Sequence, residues 1–349
     1  MNMQIHEFYM QRCLQLAKIG RGYVAPNPMV GALLVSDNKV IGEGHHQKFG
    51  AAHAEVNAIN EVKDKWLLKN ATLYVSLEPC VHYGKTPPCS ELIIESGIRK
   101  VVVACTDPHQ KVAGKGIRQL KDAGVEVING VLEQEAIQLN KYFFYYHTQN
   151  KPYIILKWAQ TADGYMGRER GSNLSKKVSN WYNDILVHQL RAESSAILIG
   201  YHTALEDNPS LNNRLWVGNS PLRVVIDLAG SLPPTLKLFN DGGKTIVFTH
   251  NHAVKRDQIN YVYIDESKEL VSEILNHLYT MQVQSLLVEG GAKTLNLFIN
   301  SQHWNEAHLI ISQQSWGNGI QAPTIKGELV GDNYYLNEQY KIYKPKLNL

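Results

Sequence analysis

The chain has 349 residues, 44% hydrophobic and 19% charged, which is ordinary globular composition with apolar mass for two cores. A formal net charge of +3, spread along the chain, agrees with an anionic small-molecule substrate and gives little support to a nucleic-acid partner. The four cysteines, Cys13, Cys80, Cys89 and Cys105, are too few for a disulfide framework. No apolar run approaches the roughly 18 residues needed to span a bilayer, and Met1 to Gly20 shows no basic and then apolar leader. A cytoplasmic, reducing location without membrane attachment is therefore expected.

The first half alternates helix-like and strand-like segments. Glu7 to Ile19 reads as a helix stopped by Gly20, and Val30 to Val35 as an apolar strand. Asp37-Asn38-Lys39 turns that strand into a second, Val40 to Glu43. His53 to Val62 is expected to be helical, Thr72 to Leu77 a strand, Cys89 to Ser96 a helix and Val101 to Cys105 a strand. Gly116 to Ala123 and Val125 to Ile128 form one more helix–strand pair, and Glu133 to Tyr146 a further helical stretch. The alternation predicts a layered α/β sheet covered by helices.

The polar, proline-ended stretch Thr148 to Pro152 marks a domain boundary, giving domains 1–148 and 149–349. A second α/β series follows. Its strands are expected at Tyr153 to Trp158, Ala196 to Gly200, Val224 to Asp227, Thr245 to Thr249, Ser285 to Glu289 and His308 to Ile311. Its helices are expected at Trp181 to Ala192, Lys268 to Tyr279 and Lys293 to Ile299.

Chemistry enters at His53-Ala54-Glu55, Glu78-Pro79-Cys80 and Pro87-Pro88-Cys89. One imidazole and two thiolates are a three-ligand zinc set with a fourth position open for water, the mark of a catalytic site. Zinc lowers the pKa of such a water toward neutrality, and Glu55 is placed to shuttle its proton. Tandem prolines suit entry into a helix, so Cys89 is expected near a helix N-terminus, where the dipole favours a thiolate. Taken singly, the motifs also read as a helix surface and as buried thiols. Cys13 and Cys105 sit in apolar patterns and are expected in the core. In the nucleic-acid deaminase signature two residues separate the cysteines; here the eight residues Val81 to Pro88 do.

On these motifs the chain resembles the bifunctional deaminase/reductase family of riboflavin biosynthesis, over nearly its full length. In the first half the resemblance rests on Pro26-Asn27-Pro28-Met29-Val30-Gly31, His53-Ala54-Glu55 and the run from Glu78 to Cys89. In the second half it rests on Asp163-Gly164, Leu190-Arg191-Ala192, Leu205 to Leu211, Arg223 to Asp227 and Val288-Glu289-Gly290-Gly291. It implies a cytidine-deaminase-like domain followed by a dihydrofolate-reductase-like domain, and a homo-oligomer. The implied reactions are deamination of 2,5-diamino-6-(5-phosphoribosylamino)pyrimidin-4-one and NADPH-dependent reduction of the ribosyl side chain of the resulting uracil. Residue by residue it implies zinc on His53, Cys80 and Cys89, with Glu55 as proton shuttle. Asn27, His46, His82 and Lys85 would hold the deaminase substrate.

In the second half it implies an NADPH site lined by Ala159, Thr203, Asp207 and the run Gly291, Ala292, Lys293, Thr294, Leu295, Asn296 and Leu297. Ser175, Arg191, Leu211, Arg214 and Glu289 match substrate-side positions. Arginine suits a phosphate because its planar fork binds in bidentate fashion. Lys157 and Asp207 are candidates for polarising the reacting carbon and ordering the site. Read without the resemblance, Glu289-Gly290-Gly291 between a strand and a helix allows close backbone approach to a phosphate, and no G-x-G-x-x-G stands at a strand end. The chain has Lys177-Val178-Ser179 where relatives commonly have Trp-Ile-Thr, and Asp207-Asn208-Pro209 where many have Asp-Asp-Pro. Three other readings compete: a base-editing nucleic-acid deaminase, a structural zinc module, and an active deaminase with a degenerate reductase. The first would need a basic, aromatic-lined groove, and the second a fourth protein ligand.

Overall fold

The computed structural model describes residues 3–83, 87–169, 175–257 and 259–346. The chain forms two compact units, Met1–Asn150 and Lys151–Leu349. No helix among the described residues is long and apolar enough to cross a membrane.

The first unit runs α1 (Met3–Ile19), β1 (Gly31–Ser36), β2 (Lys39–His45), α2 (Ala54–Glu61), a 3-10 turn (Lys65–Asn70), β3 (Thr72–Val75), α3 (Cys89–Glu95), β4 (Lys100–Val103), α4 (Lys115–Asp122), β5 (Glu126–Asn129), α5 (Glu133–Leu139) and α6 (Lys141–Gln149). The strands form one sheet, β2-β1-β3-β4-β5. β1 pairs antiparallel with β2 and β3, while β3, β4 and β5 are parallel. Asp37 and Asn38 take positive φ in the β1–β2 turn, a conformation that short polar side chains tolerate.

Alternate residues of the central strands feed two cores. Ala32, Leu34, Leu73, Val75, Val101 and Val103 pack with Ala54 and Ala58 of α2 and Ile93 of α3. Leu33, Val35, Tyr74 and Val102 pack with Met10 and Cys13 of α1 and Phe143 of α6. Burial on both faces explains why β1 is a continuous apolar run. The single helix expected over Glu133 to Tyr146 is two helices that break at Asn140. The Asn140 side chain accepts from the Met29 N–H (2.8 Å) and donates to the Met29 carbonyl (2.9 Å). This tertiary bond competes with the helix and pins the chain just after Asn27.

The second unit runs β6 (Tyr153–Gln160), β7 (Tyr165–Gly167), α7 (Trp181–Glu193), β8 (Ala196–Gly200), α8 (Tyr201–Asp207), β9 (Leu222–Ile226), α9 (Lys237–Asn240), β10 (Thr245–Thr249), β11 (Asn260–Tyr263), α10 (Leu270–Thr280), β12 (Ser285–Gly290), α11 (Ala292–Asn300), β13 (Glu306–Ile311), β14 (Ile320–Gln321), β15 (Glu328–Tyr335) and β16 (Glu338–Lys344). Nine strands make one sheet in the order β11-β10-β9-β8-β12-β6-β13-β16-β15. β11 through β13 are parallel; β16 and β15 close the sheet antiparallel. Leu156, Leu198, Val224, Phe248 and Val288 form its apolar centre with Ile274 of α10 and Leu295 and Phe298 of α11. The β15–β16 hairpin escapes the sequence reading because its charged, half-exposed residues lack an apolar run.

α2, which carries His53 and Glu55 at its start, packs on β2 at Gly44. A β-carbon on Gly44 would overlap the Ala54 carbonyl oxygen and the Ala58 nitrogen. Overpacking of this kind costs about 1–3 kcal/mol. Gly44→Ala should therefore lower the stability of the first unit by that amount in urea unfolding and leave the unfolding of the second unchanged.

Candidate active site

Three separate segments deliver the first cluster. His53 is the N-cap of α2, Cys80 lies in the loop between β3 and α3, and Cys89 is the first residue of α3 with Pro88 as its N-cap. One donor atom from each lies within 4.8 Å of the other two. His53 Nδ1 is 3.3 Å from Cys89 Sγ and 3.6 Å from Cys80 Sγ. Bonds of about 2.0–2.1 Å to nitrogen and about 2.3 Å to sulfur at a tetrahedral angle put N and S about 3.6 Å apart. The donor set therefore fits zinc as three protein ligands.

The electrostatics are those of a thiolate site. The Cys89 thiol and His53 hold the Cys80 thiol well below its ordinary range, and the Cys89 backbone N–H donates to the Cys80 sulfur at 3.3 Å. Cys89 itself is raised by its pairing with Cys80 and by burial. Glu55, in the first turn of α2, is 4% exposed. Burial raises its pKa, opposed by the positive field of His53. The sequence places His53, Glu55 and Cys89 at helix N-termini, and the structure brings these three together with Cys80.

Asn27 and His46 adjoin this cluster. His46 Nδ1 donates to the Ala52 carbonyl (3.0 Å), which can only accept, so Nε2 is left to accept from the Asn27 amide (3.1 Å). The His46 ring lies 5.6 Å from that of His53, and burial lowers its pKa. His82 is exposed two residues beyond Cys80; Lys85 lies outside the described residues. Asp107 was not legible as a site residue. It is 9% exposed, and burial pushes its carboxyl up to about 7, with Glu78 and Cys80 adding to the rise. An aspartate in a polar loop carries no sequence signal of burial.

The second cluster lines a cleft of about 1010 Å³ at the C-terminal ends of β6, β8, β9 and β12, where ligands bind in open α/β sheets. Lys157, Ala159, Arg191, Thr203, Asp207, Glu289, Gly291, Ala292, Lys293, Thr294 and Leu297 line it. The run 291–297 is split by helical geometry: Leu295 packs into the core, and Asn296 is not part of the lining. The N-terminal turn of α11 abuts the cleft end-on; beyond it the helix turns about 100° per residue, so only one face reaches the cleft.

Glu289 organises the cleft floor. Arg191 Nε and Nη2 donate to its two oxygens at 2.8 and 2.9 Å, and Lys157 Nζ lies 3.8 Å away. Burial would raise its carboxyl, but Arg191 and Lys157 bring it down to about 2. Burial lowers the Lys157 pKa and raises that of Asp207.

Ser175, Leu211 and Arg214 do not line this cleft. Leu211 is buried in a neighbouring cavity, and Arg214 Nη1 donates to Asn212 Oδ1 (3.0 Å). Their loop joins the cluster through the Asn212 carbonyl, which accepts from Arg191 Nη1 (3.2 Å). Lys177 lines the cleft and pairs with Asp184 at 2.9 Å. Asn208 caps α8 with φ 40°, a conformation asparagine tolerates better than most residues, and its Oδ1 accepts from the Lys237 N–H (2.7 Å).

Comparison with known proteins agrees with both clusters. Residues 3–105 match the cytidine and deoxycytidylate deaminase zinc-binding region, and residues 152–333 match the RibD C-terminal domain. The riboflavin biosynthesis protein RibD of Aquifex aeolicus is 40% identical, over 91% of this chain and 89% of its own length. That of Bacillus amyloliquefaciens is 38% identical over 93% and 89%. A crystal structure of a diaminohydroxyphosphoribosylaminopyrimidine deaminase/5-amino-6-(5-phosphoribosylamino)uracil reductase from Thermotoga maritima superposes with a TM-score of 0.89 at 37% identity, over 98% of this chain and 99% of that one. Acinetobacter baumannii RibD gives 0.90 at 31% identity, over 99% and 100%. The chain therefore belongs to the RibD family of riboflavin biosynthesis, bifunctional enzymes with a zinc-binding deaminase domain and an NADPH-dependent reductase domain.

Proposed function

We propose that the first unit deaminates the diaminohydroxyphosphoribosylaminopyrimidine, and the second reduces the 5-amino-6-(5-phosphoribosylamino)uracil, named for the Thermotoga relative. The observation that carries this reading is the convergence of His53, Cys80 and Cys89 donors within 4.8 Å, beside the buried Glu55. Zinc held there supplies a hydroxide nucleophile near neutral pH. Glu55 carries one proton of the attacking water to the ring nitrogen and the other, released as the new carbonyl forms, to the departing ammonia; its burial keeps bulk water out of the transfer. His46 fixes the Asn27 amide, whose remaining donor and acceptor read the polar edge of the ring, and we assign the phosphoribosyl arm to His82 and Lys85.

In the second unit NADPH, when bound, supplies the hydride. Arg191 holds Glu289 ionised and oriented toward the hydroxyls of the ribosyl chain. Lys157 presents an ammonium to the oxygen on the reacting carbon, and Asp207, paired with Lys176 at 3.7 Å, orders the cofactor side. Because Glu289 occupies the Arg191 fork, we assign the substrate phosphate to Arg214, with Ser175 and Leu211 shaping its approach. A homo-oligomer in a reducing, cytoplasmic compartment completes the proposal. The apolar Leu329 and Val330 exposed on edge strand β15 support self-association, and the ligand thiols require reducing conditions.

Cys80→Ser should lose most of its zinc in metal analysis; full retention would remove Cys80 from the ligand set. Glu55→Gln should keep zinc and reduce the pre-deaminated uracil normally, yet release ammonia at least about 10²-fold more slowly. Near-normal ammonia release with metal in place would exclude Glu55 as the shuttle.

The two arginines should separate in steady-state kinetics. Arg214→Ala should raise KM for the uracil substrate about tenfold, the loss of one charge-assisted contact, and leave KM for NADPH alone. Arg191→Ala should strip Glu289 of its partner and destabilise the second unit by about 3–5 kcal/mol. A rise confined to KM for NADPH in Arg214→Ala would overturn the phosphate assignment. Measurable NADPH oxidation by the unmodified enzyme excludes the degenerate-reductase alternative.

A further inference from the structure

The most heavily hydrogen-bonded carboxylate near the deaminase cluster belongs to Glu78, which is neither a metal ligand nor the proton shuttle. It is 4% exposed. Its Oε2 accepts from the backbone N–H groups of Asp107 (3.1 Å) and Gly114 (2.8 Å), and its Oε1 from those of Gly116 (2.8 Å) and Ile117 (3.1 Å). Its own N–H donates to the Cys105 carbonyl at 3.0 Å. One side chain thus closes both ends of the 107–117 segment and satisfies the orphan donors at the start of α4.

Two further contacts hold α4 to the same turn. A β-carbon on Gly116 would overlap the Pro79 carbonyl oxygen, so the α4 backbone rests directly on Glu78-Pro79-Cys80. Ser90 Oγ donates to the Cys80 carbonyl (2.9 Å) and lies 2.8 Å from the Gln119 side-chain oxygen on α4. What the clamp carries is chemical. Asp107 is buried within electrostatic reach of Cys80, and His109 within that of His82. The Asp107 carboxylate in turn accepts from the His109 backbone N–H at 2.7 Å, which fixes the Asp107 side chain against the backbone at His109.

We propose that Glu78 is a positioning residue of the deaminase reaction: its carboxylate holds the 107–117 segment against the Cys80 turn and thereby sets the wall of Asp107 and His109 that the pyrimidine meets. This rests on the deaminase assignment of that site. Glu78 touches neither reacting atom, and its removal loosens substrate binding before it harms the chemistry. Glutamine keeps the length of the side chain, but its NH₂ group confronts two backbone N–H donors, so half of the clamp opens.

The test is deaminase kinetics of the full chain carrying Glu78→Gln, with zinc content and reductase rate measured on the same sample and Glu55→Gln as the chemical control. The expected result is KM for the pyrimidine raised about tenfold or more, with zinc, reductase rate and kcat per bound zinc held within about threefold. Unchanged kinetics would overturn the proposal, as would a loss of activity that tracks lost zinc, or a fall in kcat at fixed KM. If the first unit of Glu78→Gln does not fold, as its urea unfolding would report, Gly116→Ala decides the matter. It lifts α4 from Pro79 with Glu78 intact and should raise the same KM; an unchanged KM there overturns the proposal too. An unmodified chain that released no ammonia would instead bring down the deaminase assignment itself, a result distinct from either outcome for Glu78; an active Glu55→Gln control would remove only Glu55 as the shuttle.

Discussion

An imidazole and two thiolates, carried by residues as far apart in sequence as His53 and Cys89, must reach one point from three chain segments. That convergence constrains the first unit more than any other interaction. Two of the donors sit at helix N-termini: His53 at that of α2, and Cys89 at that of α3, where unpaired backbone N–H groups and the helix dipole favour negative sulfur. The third hangs from the loop leaving β3. The two helices are then fixed by their packing, α2 through its close approach to Gly44 and α3 through Ile93 in the same core. Thiolates brought this close repel one another, and a divalent cation relieves the repulsion. The geometry therefore favours a metal before any reaction is considered.

The second unit meets a different constraint. Its cleft floor holds Glu289, Arg191 and Lys157, all largely out of water. Burying a single charge there would be prohibitive, and the bidentate Arg191–Glu289 pair is what makes it tolerable. The pairing also decides what each group can offer a substrate. Glu289 stays an acceptor because two cations hold it ionised, and Arg191 has little donor capacity left for a phosphate. Charges that look interchangeable in a list of basic residues thus have different functions once their partners are known.

The departures from the family pattern find local physical accounts. Asn208, where many relatives have aspartate, takes a left-handed backbone conformation and caps α8 while its side chain ties down α9. Lys177, in place of an aromatic residue, puts an ammonium in the cleft and balances it with Asp184. Neither change removes the Glu289 cluster, so the cleft keeps its central acceptor.

The sequence by itself determined a large part of this protein. The order of strands and helices was legible because doubly buried strands are apolar throughout and the helices between them are amphipathic. The convergence of His53, Glu55 and Cys89 was legible because the Pro-Pro-Cys run and the His-Ala-Glu motif each mark a helix start, a local property. Only the tertiary structure decided the rest. The break at Asn140 depends on Met29, more than a hundred residues earlier. The β15–β16 hairpin gains its order from pairing with β13 and not from an apolar run of its own. Asp107 and Glu78 are polar residues in loops, and nothing local shows that one becomes buried and the other gathers four backbone donors. Arg191 and Arg214 read alike in the chain; contact with Glu289 separates them. Propensity and periodicity act over a few residues and can be read along the chain, whereas burial, charge pairing and the satisfaction of backbone donors depend on segments that meet only when it folds.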